Sequence, residues 1–180
     1  MPEGGLPYVI IAVVAAVLIA VTVVLARLAW RRQVRRYIVG LVGRKEAVVA
    51  ALRAVDGIVR TLSQGTAAEL VAFAGRDSAD RNGMAELGSR MRVEAAELAD
   101  LPLPKKLWTL ADRLGDAASV LGREASRVGE SEGEAALDAL ADLDLAPARE
   151  ALAATEAEIA RLAEAYDLTD PSVYGGGLYI

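Results

Sequence analysis

Residues Leu6 to Ala26 read LPYVIIAVVAAVLIAVTVVLA, 21 positions without a charge, and only Pro7 and Thr22 depart from apolar character. About 20 such residues are needed for a helix to cross the hydrocarbon core of a bilayer. Tyr8 and Trp30 flank the run, where amphipathic rings settle at headgroup depth. A cleaved signal peptide would carry a cationic leader and an apolar core of about 7–15 residues. Here the leader is MPEGG and the cations come after the run. The pattern predicts one transmembrane helix, a signal anchor, rather than a signal peptide or a buried soluble helix.

Arg27, Arg31, Arg32, Arg35 and Arg36 follow the span at once, with Arg44 and Lys45 beyond them and no acid among the seven. Cations of this kind stay on the cytoplasmic side. The expected topology therefore has the N-terminus outside and the body in the cytoplasm, at the cell membrane. The arginines also face membrane lipid, each gaining about 1 kcal/mol near an anionic surface. Ala12, Ala16 and Ala20 recur every four residues on one face of the span, a spacing that lets two helices approach closely. A chance row in an alanine-rich chain explains them as well.

The apolar fraction, 54%, exceeds the roughly 45–50% of soluble domains, and the first thirty residues hold most of the excess. From Glu46 onward there are 13 basic and 24 acidic residues, a net charge of −11. Phosphate repulsion makes such a body a poor nucleic-acid binder, so no nucleic-acid partner is expected. Arginine outnumbers lysine strongly, since Lys45, Lys105 and Lys106 are the whole lysine set, which is the usage of a GC-rich, bacterial genome.

Ile38, Leu41, Lys45, Val48, Leu52, Val55, Val59 and Leu62 step by threes and fours, a coiled-coil-like seam with one polar intrusion. It serves either a parallel homodimer or one side of an intramolecular bundle. A short helix follows up to about Gly75, then a polar loop closing at Asn82-Gly83. Met84, Leu87, Met91, Ala95 and Leu98 mark the next helix, and Leu107, Leu110, Leu114, Ala117, Leu121 and Val128 the one after the Pro102–Pro104 turn. Ser131 and Glu134 form a capping box for a helix carrying Leu137, Leu140 and Leu143. Asp144–Pro147 restarts the chain, and Ala148, Leu152, Thr155, Ile159, Leu162 and Tyr166 define a last helix. No segment shows the two-residue alternation of a strand.

The expected fold is all-α: a short outer tail (1–5), a transmembrane helix (6–30), a basic juxtamembrane segment and long heptad-like helix (31–64), and a bundle (65–166). The bundle has about four antiparallel helices and is cytoplasmic. Residues 167–180 form a flexible tail. There Gly175–Gly177 precede Leu178, Tyr179 and Ile180. Disorder, folding back on the bundle, and capture of the apolar end by a partner through strand addition or a carboxylate nest all fit this pattern.

No histidine or cysteine occurs, which removes disulfides, thiolate metal sites and histidine general bases. Phosphate-binding glycine loops and calcium loops are missing too. Glu94/Glu97, Glu130/Glu132/Glu134 and Glu156/Glu158 read as solvated surface. No catalytic, cofactor or metal site is expected, and the chain reads as a non-enzyme. Trp108, after KKL, reads as packing at the edge of a leucine stripe, with a membrane-surface or partner anchor as the alternative.

The functional expectation is a membrane-anchored interaction protein, an adaptor or regulator holding a cytoplasmic or membrane protein partner. The alternative is an accessory subunit of a larger membrane complex joined through the transmembrane and juxtamembrane helices.

Overall fold

The structure is a computed structural model that describes residues 5–166 and Leu168, with side chains described from Val14 onward. Six α-helices are present among the described residues, and no strand: α1 (Gly5–Ser63), α2 (Ala67–Ala74), α3 (Ala79–Ala99), α4 (Trp108–Glu130), α5 (Glu134–Ala141) and α6 (Ala146–Tyr166). A single 3₁₀ turn, Lys105–Leu107, leads into α4. The all-α bundle expected from the apolar periodicities is the observed fold. The chain divides into two compact units between Tyr37 and Ile38.

In the first unit α1 carries the apolar run, and its side chains from Val14 to Leu28 are exposed, with Leu18 at 61% and Ile19 at 65%. This helix is long and apolar enough to cross a membrane. The Thr22 hydroxyl is no obstacle, because its Oγ1 donates to the Leu18 carbonyl at 2.8 Å. A side chain satisfied on its own helix adds little cost in hydrocarbon.

In the second unit the C-terminal part of α1 joins α3, α4 and α6 in an up-down-up-down bundle. Contacts at two levels fix the register: Arg44 meets Glu94 at 2.6 Å and Glu97 at 3.0 Å, while Thr61 and Leu62 share a concavity with Ser78 and Asp80 at the start of α3, so α3 runs antiparallel to α1. On the other flank Lys45 meets Glu156 at 2.8 Å and Asp56 meets Arg149 at 2.6 Å, so α6 is antiparallel to α1 as well. Ile38, Leu41, Val48, Leu52, Val55 and Leu62 are all buried between these flanks. The heptad seam is therefore filled within one chain. Lys45, its polar intrusion, lies at the seam's edge and reaches out to α6.

α4 is the central helix. Twelve of its 23 residues are buried, from Leu110 to Gly129, including Leu110, Leu114 and Leu121. Short helices close the distal end. Thr66 and Glu69 form a reciprocal capping box that starts α2. The Gly133 amide donates to the Ala74 carbonyl at 2.9 Å, tying the end of α2 to the start of α5.

Two local expectations are corrected. The loop expected to close at Asn82-Gly83 is already helix, because Ser78 caps α3 through the Arg81 amide at 3.3 Å. Gly83 faces open space there and weakens the helix without breaking it. The Ser131–Glu134 capping box does not form. Ser131 Oγ donates back to the Arg127 carbonyl, and Gly133, at φ 61°, makes the entry to α5 in a conformation that favours glycine. On α5 the fully buried face is Ala136 and Ala139, with Leu137 and Leu140 half-buried.

Candidate functional site

On α1, Arg27, Arg31, Arg32, Arg35 and Arg36 are all exposed. At about 100° per residue they spread over roughly half the helix circumference, so they form one cationic face. Trp30, 48% exposed, lies just outside that face, next to its Arg27 edge. None of these arginines has an acidic partner among the ion pairs of the described residues, whereas Arg44 and Lys45 are spent on the bundle. Ala16 and Ala20 are exposed on the apolar segment. The side chains of Tyr8 and Ala12 lie outside the described residues, as do Leu178, Tyr179 and Ile180.

Glu94, Glu97, Glu156 and Glu158, expected as solvated surface, are all engaged in ion pairs. Glu94 and Glu97 hold Arg44, and the hydrogen bond it donates to Glu94 is the main reason its guanidinium pKa is raised. Glu156 holds Lys45, while Glu158 accepts two bonds from Arg161, at 2.9 and 2.5 Å. Those bonds, followed by the cost of burial acting against them, leave the Glu158 pKa lowered. Much of the acidic surface is therefore structural clamp.

Two features escaped sequence reasoning. Arg81 is 3% exposed and spans the distal corner of the bundle. Its guanidinium donates to the carbonyls of Gly129 (3.3 Å), Ser131 (2.5 Å) and Arg76 (2.8 Å), with Glu132 at 3.8 Å. It thus caps the end of α4 with a charge of the favourable sign. The second is a close seam between α3 and α4. A Cβ on Gly129 would come within 2.5 Å of Ala85 Cα, one on Gly88 within 2.6 Å of the Ser126 amide nitrogen, and one on Gly122 within 3.0 Å of the Arg92 amide nitrogen. A row of glycines read in one helix signals nothing by itself. It became informative only once α3 supplied Ala85 and Gly88 opposite.

At the opposite end, the α3–α4 connection presents Trp108, 52% exposed and further out than packing at a core edge predicts. Its indole N–H donates to the Leu103 carbonyl at 2.9 Å, and Lys105 Nζ lies 5.9 Å from the ring centroid. Leu107, wholly buried, pins the turn beneath them.

Two shallow concavities lie on the body among the described residues. One of about 370 Å³ near the start of α3 is lined by Thr61, Glu69, Phe73, Asp77 and Asp80. Another, on the outer face of α3, is lined by Glu86, Ser89, Arg90, Val93 and Glu94. Among the described residues no group of three or more acidic side chains is placed to hold a metal ion. Comparison with protein-family models, with curated proteins and with solved structures returns no match.

Proposed function

We propose that the protein is a single-pass membrane-anchored interaction protein, an adaptor or regulator that presents an acidic helical bundle at the cytoplasmic face. The observation that carries this reading is the pairing of an exposed apolar helix with a well-packed, ion-clamped body. An apolar face of that extent is a cost in water and a gain in lipid. The unpartnered arginines that follow set its orientation. Tethering supplies the mechanism: confinement to a surface raises effective concentration, so a weak contact becomes occupied.

The outer face of α3 is the contact surface we favour, since Val93 is 56% exposed among Glu86, Ser89 and Arg90 in a shallow groove. Photo-crosslinking residues placed at Ser89 and Val93 of the full chain test this in cells. A discrete adduct that disappears when residues 6–26 are replaced by a polar linker is the expected result. An adduct independent of the anchor, or none from either position, overturns the reading.

The exposed Ala16 and Ala20 favour a second reading, an accessory subunit joined to a membrane complex through its span. A homodimer would use the same face, because the heptad seam is already filled.

A further inference from the structure

We propose that the α3–α4 connection, Pro102 to Trp108, is a second membrane-contact site that binds the anionic headgroup surface of the bilayer. The proposal rests on the membrane-anchored reading above and extends it to the body.

Its first support is composition in place. Lys105, Lys106 and Trp108 are all exposed, and no acid lies between Leu101 and Ala111 in a body with a net charge of −11. Two of the three lysines in the chain are here. Lysine stems lie along apolar surface while their ammonium groups reach phosphate. An indole settles at headgroup depth, where one part of the ring is apolar and the other wet. The Trp108 N–H is already satisfied by Leu103, so entry of the ring into the interface leaves no donor stranded.

The second support is rigidity. The wholly buried Leu107 and the Trp108–Leu103 bond hold the turn in one shape, so little ordering cost remains on contact.

The third is position within the bundle. Arg44, near the entry of the chain at Ile38, pairs with Glu94 and Glu97, and α3 continues beyond them to Ala99. The α3–α4 turn therefore lies at the end of the bundle where the chain enters. Trp30 precedes Ile38 by eight residues, a stretch that reaches no more than about 28 Å. The tether thus keeps this end of the body close to the interface, where a contact too weak for a free protein is populated.

Trp30 and Trp108 are the only tryptophans, so Trp30→Phe and Trp108→Phe each leave a single reporter. The full chain is reconstituted in phosphatidylcholine vesicles carrying a headgroup-linked quencher, with and without about 30% phosphatidylserine, an anionic lipid of the inner-leaflet type. Trp30 is expected to be quenched in both. Trp108 is expected to be quenched strongly with phosphatidylserine and weakly without it. Lys105→Gln/Lys106→Gln should weaken that contact roughly twenty-five-fold, about fivefold per lysine, with salt acting in the same direction. Quenched Trp30 with unquenched Trp108 overturns this inference and leaves the anchor standing. Trp108 quenching indifferent to phosphatidylserine and to the lysines overturns the anionic-lipid assignment. An unquenched Trp30 overturns the anchor and this proposal together.

Discussion

The α3–α4 seam makes one residue type do opposite things at two positions. At Gly129 a Cβ would fall 2.5 Å from Ala85 Cα and 2.7 Å from Ala85 Cβ, whereas at Gly57 nothing lies within 4 Å. Ordinary contact between carbons is about 3.5–4.0 Å, so Gly129→Ala requires α3 and α4 to part by roughly 1 Å. Backbone cannot rotate aside as a flexible side chain can. A gap of 0.5–1 Å forfeits about a quarter to a half of each dispersion contact, and Gly88 and Gly122 share the same interface. Overpacking of this kind costs about 1–3 kcal/mol, against which alanine recovers up to about 1 kcal/mol of helix propensity. The net expectation for Gly129→Ala is a loss of about 1–2 kcal/mol. Gly57→Ala gains the propensity alone, about 0.5–1 kcal/mol. Thermal unfolding of the full chain in detergent, followed by circular dichroism, reads both at about 3 °C per kcal/mol. The melting temperature should fall for Gly129→Ala and rise for Gly57→Ala. Equal shifts of the same sign refute the close-seam argument.

Replacing Arg81 with methionine keeps apolar bulk and strands the carbonyls it serves. We expect a loss of about 2–4 kcal/mol in urea unfolding, and no loss contradicts its capping role. Val55, with no exposed surface, sits in the filled seam. Val55→Asp should cost several kcal/mol and unfold the bundle, while Leu52→Cys should give no disulfide-linked dimer under oxidation in membranes. A dimer at Leu52 contradicts an intramolecular seam. The Glu158–Arg161 pair predicts a pH signature. Because the Glu158 pKa is lowered by folding, its contribution is present above the ordinary value of 4.5 and is lost as pH falls through the lowered one. Arg161→Gln should therefore melt below the parent chain at neutral pH, and the difference should vanish in acid. A constant difference across that range contradicts the pairing.

The parts legible in the sequence are those encoded locally. The apolar run declares α1, and the three–four spacing of Ile38 to Leu62 and of Leu107 to Val128 marks buried faces that the structure bears out, except that Val59 of the first is only half-buried. Local signals misled where a stronger neighbour prevailed. Asn82-Gly83 has the composition of a turn, yet Ser78 had already capped a helix. Ser131 and Glu134 have capping-box spacing, yet Gly133 turns the chain first. What was not legible depends on register between helices distant in sequence. Arg81 looks like one more surface cation until α4 ends above it, and Gly88, Gly122 and Gly129 look like helix weaknesses until they meet the facing helix. Trp108 is the instructive intermediate case. Its leucine neighbours suggested a core edge, but Leu107 takes the buried place and leaves the indole outside.

The central claim is that α1 anchors the chain in a membrane with the bundle on the cytoplasmic side. The chain has no cysteine, so single introduced thiols report without background. Glu3→Cys and Ser89→Cys variants, expressed in bacterial cells, are treated with a membrane-impermeant maleimide before and after permeabilisation. Labelling of the Glu3→Cys variant in intact cells, and of the Ser89→Cys variant only after permeabilisation, is the result this account predicts. Labelling of the Ser89→Cys variant in intact cells, or recovery of the protein in the soluble fraction after alkaline carbonate, contradicts it.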